Sequence, residues 1–281
     1  MTDARTPLAG VIGHPVAHSK SPALHAYWLQ TYGIRGHYIP MDVTEADLKA
    51  ALKALPRLGF VGVNVTIPHK ERVLGLADLI TDRAALIGAA NTLIFRPDGK
   101  IHADNTDGYG FIENLRQNAP NWIAECGPAA LLGAGGAARA VVAALLESGV
   151  PEIRIANRTR PRAEALRADF GPRVQVWDWS AAAQMLVGAR LVVNTTSVGM
   201  EGTQTGELHV SLDALDPDAV MTDIVYNPLM TPLLLAAQDR GCHVVDGLGM
   251  LMHQAVPAFE RWFGQRPAVD AATRAAILGP A

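Results

Sequence analysis

Residues 129–140 read AALLGAGGAARA, and this stretch decides the fold. Ala129–Leu132 form a short apolar strand. Gly133, Gly135 and Ala138 then fall in G-x-G-x-x-A spacing, and an alanine-rich helical pattern follows. The spacing gives access to the backbone: Gly133 permits the tight turn, Gly135 lets a phosphate approach, and Ala138 lets helix and strand pack closely. A helix opening there turns unpaired N–H groups and its positive dipole end toward an anion. A glycine-rich turn made only for packing would show the same letters, and the strand-turn-helix context separates the two readings.

Downstream the rhythm is regular. Apolar strands at Ala129–Leu132, Ile153–Ala156, Val174–Trp177, Leu191–Asn194, Val220–Val225 and His243–Val245 alternate mostly with the helix patterns AARAVVAALLES, PRAEALRADF, AAAQMLV and PLLLAAQDR. Gly149, Gly171, Gly188 and Gly241 stand near the helix ends. Such alternation predicts a parallel, doubly wound α/β sheet. The second strand selects the nucleotide. An acid there accepts from a ribose 2′-OH and would repel a 2′-phosphate, whereas this strand ends ANRTRPRA. Arg158 and Arg162 offer two guanidinium groups to clamp a phosphate, which favours NADP over NAD, although a solvated basic loop has the same composition.

Upstream lies a second α/β pattern. The strand Leu8–Gly13 precedes HPVAHSKSPALHAYW, where Ser21 before Pro22 predicts an N-cap and Gly33 a helix end. A strand near His37–Met41 leads into TEADLKAALKAL, with Thr44 and Asp47 as a variant capping box. The strand Phe60–Thr66 follows, Pro68 is expected to start a short helix with Lys70 in its first turn, and Pro97-Asp98-Gly99 predicts a hairpin turn. The tail DGLGMLMHQAVPAFERWFG predicts a final helix, kinked near Pro257.

Several residues here could carry chemistry. The chain has 19 Arg and 5 Lys, and unlike guanidinium an ammonium can give up its proton, so Lys70 is a candidate proton carrier. Asn91 and Asp107 sit at a strand start and just past a strand end, where α/β sites gather. Each also has an ordinary reading: Lys70 as a surface lysine, NTDG as a turn, Ser21 as a cap, Ser19 as loop, Tyr226 and Gln254 as boundary residues.

Composition narrows the classes. The 281 residues are 49% hydrophobic and 18% charged, with 24 Lys+Arg against 27 Asp+Glu, so a packed core is expected and a nucleic-acid-binding face is not. The longest stretch free of Asp, Glu, Lys and Arg, Ile224–Gln238, is broken by Pro228 and Pro232, which argues against a membrane span. The N-terminus lacks the pattern of a signal peptide, and Cys126 and Cys242 form no paired motif; a reducing cytoplasmic location is the expectation. The nine His are scattered, and no metal site is expected.

Nine segments in order, VIGHPVAHSKSPALH, GVNVTIPHK, GAANT, NTDGYGF, GAGGAARA, ANRTRPRA, NTTSVGM, DIVYNPLMTPLL and DGLGMLMHQAVPAFERWFG, resemble shikimate dehydrogenases over nearly the whole chain. The resemblance implies an N-terminal catalytic domain (1–108 plus 246–281), an inserted Rossmann NADP-binding domain (109–245), and last helices that return to the first. It also implies NADP-linked, reversible reduction of 3-dehydroshikimate to shikimate, with Lys70 and Asp107 as the catalytic pair. Ser19 and Ser21 match hydroxyls for the substrate carboxylate; Thr66, Asn91, Asp107 and Gln254 match substrate contacts, and Tyr226 a tyrosine near the substrate. Gly133, Ala134, Gly135, Gly136 and Ala137 match the pyrophosphate loop. Asn157, Arg158, Thr159 and Arg162 match the adenosine-phosphate site, and Ile224 and Gly247 the closure over the nicotinamide. Ala26 and Thr195 depart from the usual Asn and Ala, and Ile224 stands where some members carry Met. The same resemblance leaves a monomer or a homodimer open. Two rivals remain: a quinate/shikimate dehydrogenase with broader substrate or NAD use, and a non-catalytic NADP- or shikimate-sensing binding protein.

Overall fold

The computed structural model describes residues 6–200 and 210–279. The chain divides into two compact units, Met1–Thr106 with Met252–Ala281, and Asp107–Leu251.

The first unit is built on a six-stranded mixed sheet, ordered β2-β1-β3-β5-β6-β4. β1 (Leu8–Gly13) lies between β2 (His37–Asp42) and β3 (Phe60–Val65), all parallel. β5 (Thr92–Phe95) runs antiparallel to β3 and forms a hairpin with β6 (Ile101–Asp104), as Pro97-Asp98-Gly99 predicts. β4 (Leu79–Ile80) pairs with β6 in parallel at the edge. Along β1 the side chains alternate between two clusters: Ala9 and Val11 pack with Tyr38, Ala258 and Trp262, and Ile12 packs with Leu48, Leu52, Val63 and Leu93. Both faces of the sheet are therefore buried, which explains why β1 reads apolar throughout. Around it lie α1 (Ser21–Thr31), α2 (Leu48–Ala54), α3 (Asp82–Ile87) and, from the C-terminal segment, most of α9 (Leu248–Phe263) and α10 (Ala271–Leu278).

The second unit holds a six-stranded, wholly parallel sheet, β7 (Ala129–Leu132), β8 (Ile153–Ala156), β9 (Val174–Trp177), β10 (Leu191–Asn194), β11 (Val220–Asp223) and β12 (His243–Val245). Its order, β12-β11-β10-β7-β8-β9, is that of two mononucleotide-binding halves meeting beside β7. Leu131, Leu191 and Val193 face one buried cluster, and Ala130, Leu132 and Val192 face the other. α4 (Asp107–Asn118), α5 (Gly136–Glu147), α6 (Arg160–Phe170), the four-residue α7 (Ala182–Met185) and α8 (Pro232–Asp239) belong to this unit.

Four local expectations need correction. Lys20 is the N-cap of α1, and Ser21 is its first residue, donating its N–H to Ser19 Oγ at 3.3 Å. Thr44 and Asp47 bond each other, but α2 starts only after Asp47, with no side chain capping it. Pro68 opens a turn, not a helix; Lys70 lies in that turn, ahead of a short 3₁₀ segment at Arg72–Leu76. The NTDG turn is the start of α4, with Asp107 as its first residue.

Candidate active site

In the first unit the proposed substrate residues gather at one end of the sheet. Thr66 follows β3 and donates its N–H to Ile12 O at 2.9 Å, beside the end of β1. The Lys70 carbonyl accepts the Ala90 N–H at 2.8 Å, so the lysine turn is pinned to the residue before Asn91. Asn91 itself is only 3% exposed. Its Oδ1 accepts the Thr106 N–H at 2.9 Å. Its Nδ2 donates to Thr106 Oγ1 at 3.0 Å and to Gln254 Oε1 on α9 at 3.1 Å. A backbone N–H can only donate, so the Asn91 amide orientation is set, and with it that of Gln254, whose carbonyl is engaged while its NH₂ stays available.

Three segments thus meet at Asn91 and its neighbour Ala90. Ala90 carries the Lys70 turn, Thr106 immediately precedes Asp107, and Gln254 comes from the C-terminal segment. Asp107 is 2% exposed. At the end of β6 the buried Asp104 carboxylate is pushed up by burial, but Arg83 (2.6 and 2.5 Å) and Thr81 (2.8 Å) outweigh that and hold it below its ordinary range. Asp104 O also accepts the Asn91 N–H at 3.0 Å.

The sequence reading missed the residues behind this cluster. Asn64 donates to Asn91 O at 3.1 Å and to Thr92 Oγ1 at 3.2 Å. Tyr38 donates its hydroxyl to Asn64 Oδ1 at 2.8 Å and has Ser21 as its other side-chain hydrogen-bond partner. Ser19 and Ser21 therefore lie together beside Tyr38, joined through Asn64 to Asn91. A single polar residue within an apolar strand, as Asn64 is in β3, was the available signal.

In the second unit the glycine loop joins β7 to α5. Gly133 has φ +108°, and a Cβ there would stand 2.7 Å from Thr196 Cγ2 and 2.8 Å from Thr195 Oγ1, so only glycine fits. Around Gly135 and Gly136 a Cβ would meet nothing within 4 Å, leaving the main chain open to a ligand. Gly135 is the N-cap of α5, and Gly136 and Ala137 are its first two residues, whose N–H groups have no intrahelical acceptor. The Ala134 N–H, by contrast, is taken by Asn157 Oδ1 at 3.2 Å.

Arg158, Thr159 and Arg162 are exposed, in the loop after β8 and the first turn of α6. Arg160, between them, is tied to Asp178 at 2.5 Å and Glu164 at 2.9 Å. For Arg158 and Arg162 the described residues supply no acidic partner. Past β11, Ile224 and Gly247 meet: a Cβ on Gly247 would fall 2.5 Å from Ile224 O, so the chain passes close enough to require glycine. Tyr226 follows in the same loop, and burial pushes its hydroxyl pKa up. Among the described residues no group of three or more His, Cys, Asp or Glu could hold a metal ion, and no helix is long and apolar enough to cross a membrane.

An open glycine cradle at the switch point of a Rossmann sheet, with two exposed arginines after the second strand that have no acidic partner among the described residues, defines a dinucleotide-binding oxidoreductase of the NADP type. Comparison with known proteins gives the particular kind. Residues 11–93 match the shikimate dehydrogenase substrate binding domain, 123–228 match shikimate / quinate 5-dehydrogenase, and 247–277 match the shikimate 5′-dehydrogenase C-terminal domain. A protein named shikimate dehydrogenase (NADP(+)) from Cereibacter sphaeroides is 69% identical over 274 residues, 98% of each chain. Its namesake from Paracoccus denitrificans is 68% identical over 277 residues, 99% of this chain and 98% of that one. Among solved structures, shikimate 5-dehydrogenase from Thermus thermophilus in complex with NADP(H) and shikimate superposes with TM-score 0.84 at 39% identity, covering 94% of this chain and 95% of that one. Quinate dehydrogenase from Corynebacterium glutamicum in complex with NAD gives TM-score 0.89 at 33% identity, covering 97% and 99%. The chain belongs to the shikimate dehydrogenase family.

Proposed function

We propose that this protein catalyses the reversible, NADP-linked reduction of 3-dehydroshikimate to shikimate, with Lys70 and Asp107 as its acid–base pair. The observation that carries the reading is the cluster at Asn91: its carboxamide bonds the Thr106 N–H, one residue before Asp107, and the side chain of the half-buried Gln254, while the neighbouring Ala90 N–H holds the Lys70 carbonyl. NADPH, when bound, supplies the hydride that reaches the ring carbonyl carbon. The Lys70 ammonium gives a proton to the carbonyl oxygen as it becomes a hydroxyl, and takes it back in the reverse direction. Asp107 accepts a hydrogen bond at that hydroxyl and orients it. Such positioned proton transfer contributes about 10²–10⁴-fold.

The remaining roles follow from the donors and acceptors. Ser19 and Ser21 offer hydroxyls to the substrate carboxylate, and Gln254 offers its free NH₂ to a ring hydroxyl. Thr66 and Asn91 line the same end of the sheet, and Tyr226 is proposed as a further substrate contact. A site built for several hydroxyls discriminates strongly against a ring lacking one. Gly133 to Ala137 cradle the pyrophosphate, Arg158, Thr159 and Arg162 with Asn157 serve the adenosine phosphate, and Ile224 and Gly247 sit against the nicotinamide. Both cysteines are free, which suits the cytoplasmic location proposed, and the protein is proposed to act as a monomer or homodimer.

Quinate dehydrogenase is the second reading, because the relative bound to NAD superposes so well. Purified protein with shikimate or quinate, each with NADP or NAD, followed at the reduced-nicotinamide absorbance band, separates them. Fast turnover on shikimate with NADP supports the proposal; preference for quinate with NAD overturns it.

A further inference from the structure

Asn157 directly follows β8, at the place where this fold, when it binds NAD, usually carries an acid. Both ends of its side chain are engaged within the protein. Oδ1 accepts the Ala134 N–H at 3.2 Å, and Nδ2 donates to Thr159 O at 2.7 Å. An N–H only donates and a carbonyl only accepts, so this orientation is the one that satisfies both. Ala134 belongs to the glycine loop, and Thr159 is the N-cap of α6, directly after Arg158 and three positions before Arg162. One carboxamide therefore joins the loop proposed for the pyrophosphate to the loop proposed for the 2′-phosphate.

We propose that Asn157 is a positioning residue that braces these two loops against each other, and that it sets nucleotide affinity through the main chain rather than by touching the 2′-phosphate. The inference rests on the NADP reading above. It also gives a reason for the residue type. An acid here would accept the same Ala134 N–H, yet its second oxygen would face the Thr159 carbonyl, and its charge would oppose a 2′-phosphate. Asparagine keeps the acceptor, adds a donor for Thr159 and removes the charge. The Ala134 N–H is consequently occupied, and the phosphate is left to the N–H groups of Gly135, Gly136 and Ala137.

The two roles differ in which nucleotide they affect. A direct contact to the 2′-phosphate matters to NADP alone, whereas a brace matters to NADP and NAD alike. The test is isothermal titration of the intact protein and its variants with NADP and with NAD. Binding of neither nucleotide by the unsubstituted protein sinks the NADP reading before any variant is compared. In Asn157→Ala, the dissociation constants for NADP and NAD are expected to rise together by about tenfold, the scale of one or two lost neutral hydrogen bonds. In Asn157→Asp, which restores an acceptor for Ala134, NAD binding should recover relative to Asn157→Ala while NADP binding weakens further. Loss confined to NADP in Asn157→Ala, or no loss with either nucleotide, overturns the proposal.

Discussion

Replacing Asn91 by alanine removes the hub of the first unit, and its cost can be worked from the bonds left without a substitute. The Thr92 and Thr106 hydroxyls stand 3.5 Å apart and can turn to each other, so neither is stranded. Gln254 is only half-buried, and water can reach its carbonyl. The Thr106 N–H is different: Thr106 is 1% exposed, and its amide has no second acceptor among the described residues. A stranded buried donor costs about 1–3 kcal/mol. The void left by the carboxamide adds about 1 kcal/mol. The sum, about 2–4 kcal/mol, corresponds to a fall in Tm of about 5–15 °C at the usual slope for a domain of this size. Calorimetric melting measures it directly. Turnover on shikimate should fall as well, because Thr106 sets the approach to Asp107. A Tm within about 2 °C of the parent's, well below the calculated shift, together with unchanged turnover, would refute the hub.

Other outcomes follow from the same structure. His25 is fully buried, stacked on Tyr38 at 3.8 Å between centroids, and burial lowers its pKa to about 3 from 6.5 in the unfolded chain. The neutral ring is thus favoured by folding: the protein keeps this stability above pH 6.5 and loses it as pH falls toward 3, by about 1.4 kcal/mol per pH unit. Chemical denaturation between pH 7 and 4.5 should show that slope, and His25→Phe should flatten it; an equal slope in both proteins would dismiss His25 as its source. Substituting Arg158 and Arg162 together by alanine should raise the KM for NADP by about 10²-fold, from two lost charge-assisted bonds, and leave NAD nearly unchanged. Equal effects on both nucleotides would remove the arginines from the 2′-phosphate.

What the sequence made legible was what short-range spacing encodes. Gly133 is a backbone requirement, so its place in G-x-G-x-x-A already announced the turn, and the parallel sheet of β7 to β12 followed from the alternation of strands and helices, though not its strand order. Lysine and aspartate types likewise stand out against 19 arginines and a turn-like NTDG. Local rules erred where two readings share one pattern. Ser21-Pro22 looks like a cap and first helical residue, but the helix takes in both and leaves Lys20 as the cap. The Asp107 turn conceals a twelve-residue helix, because Asn, Thr, Asp and Gly serve helix starts as well as turns. The long-range partners of Tyr38, Asn64, Thr92 and Thr106 were out of reach for another reason: they lie 14 to 28 positions away in sequence, and only the register of β2, β1, β3, β5 and β6 brings them together.

Proton transfer through one ammonium group is the claim on which the chemistry stands. Its most direct measurement is kcat of purified Lys70→Ala with shikimate and NADP, taken beside nucleotide binding and Tm to show that the protein remains folded and loaded. The account predicts a loss of about 10²–10⁴-fold in kcat with little change in either control. A Lys70→Ala protein that turns over at close to the parental rate would contradict it.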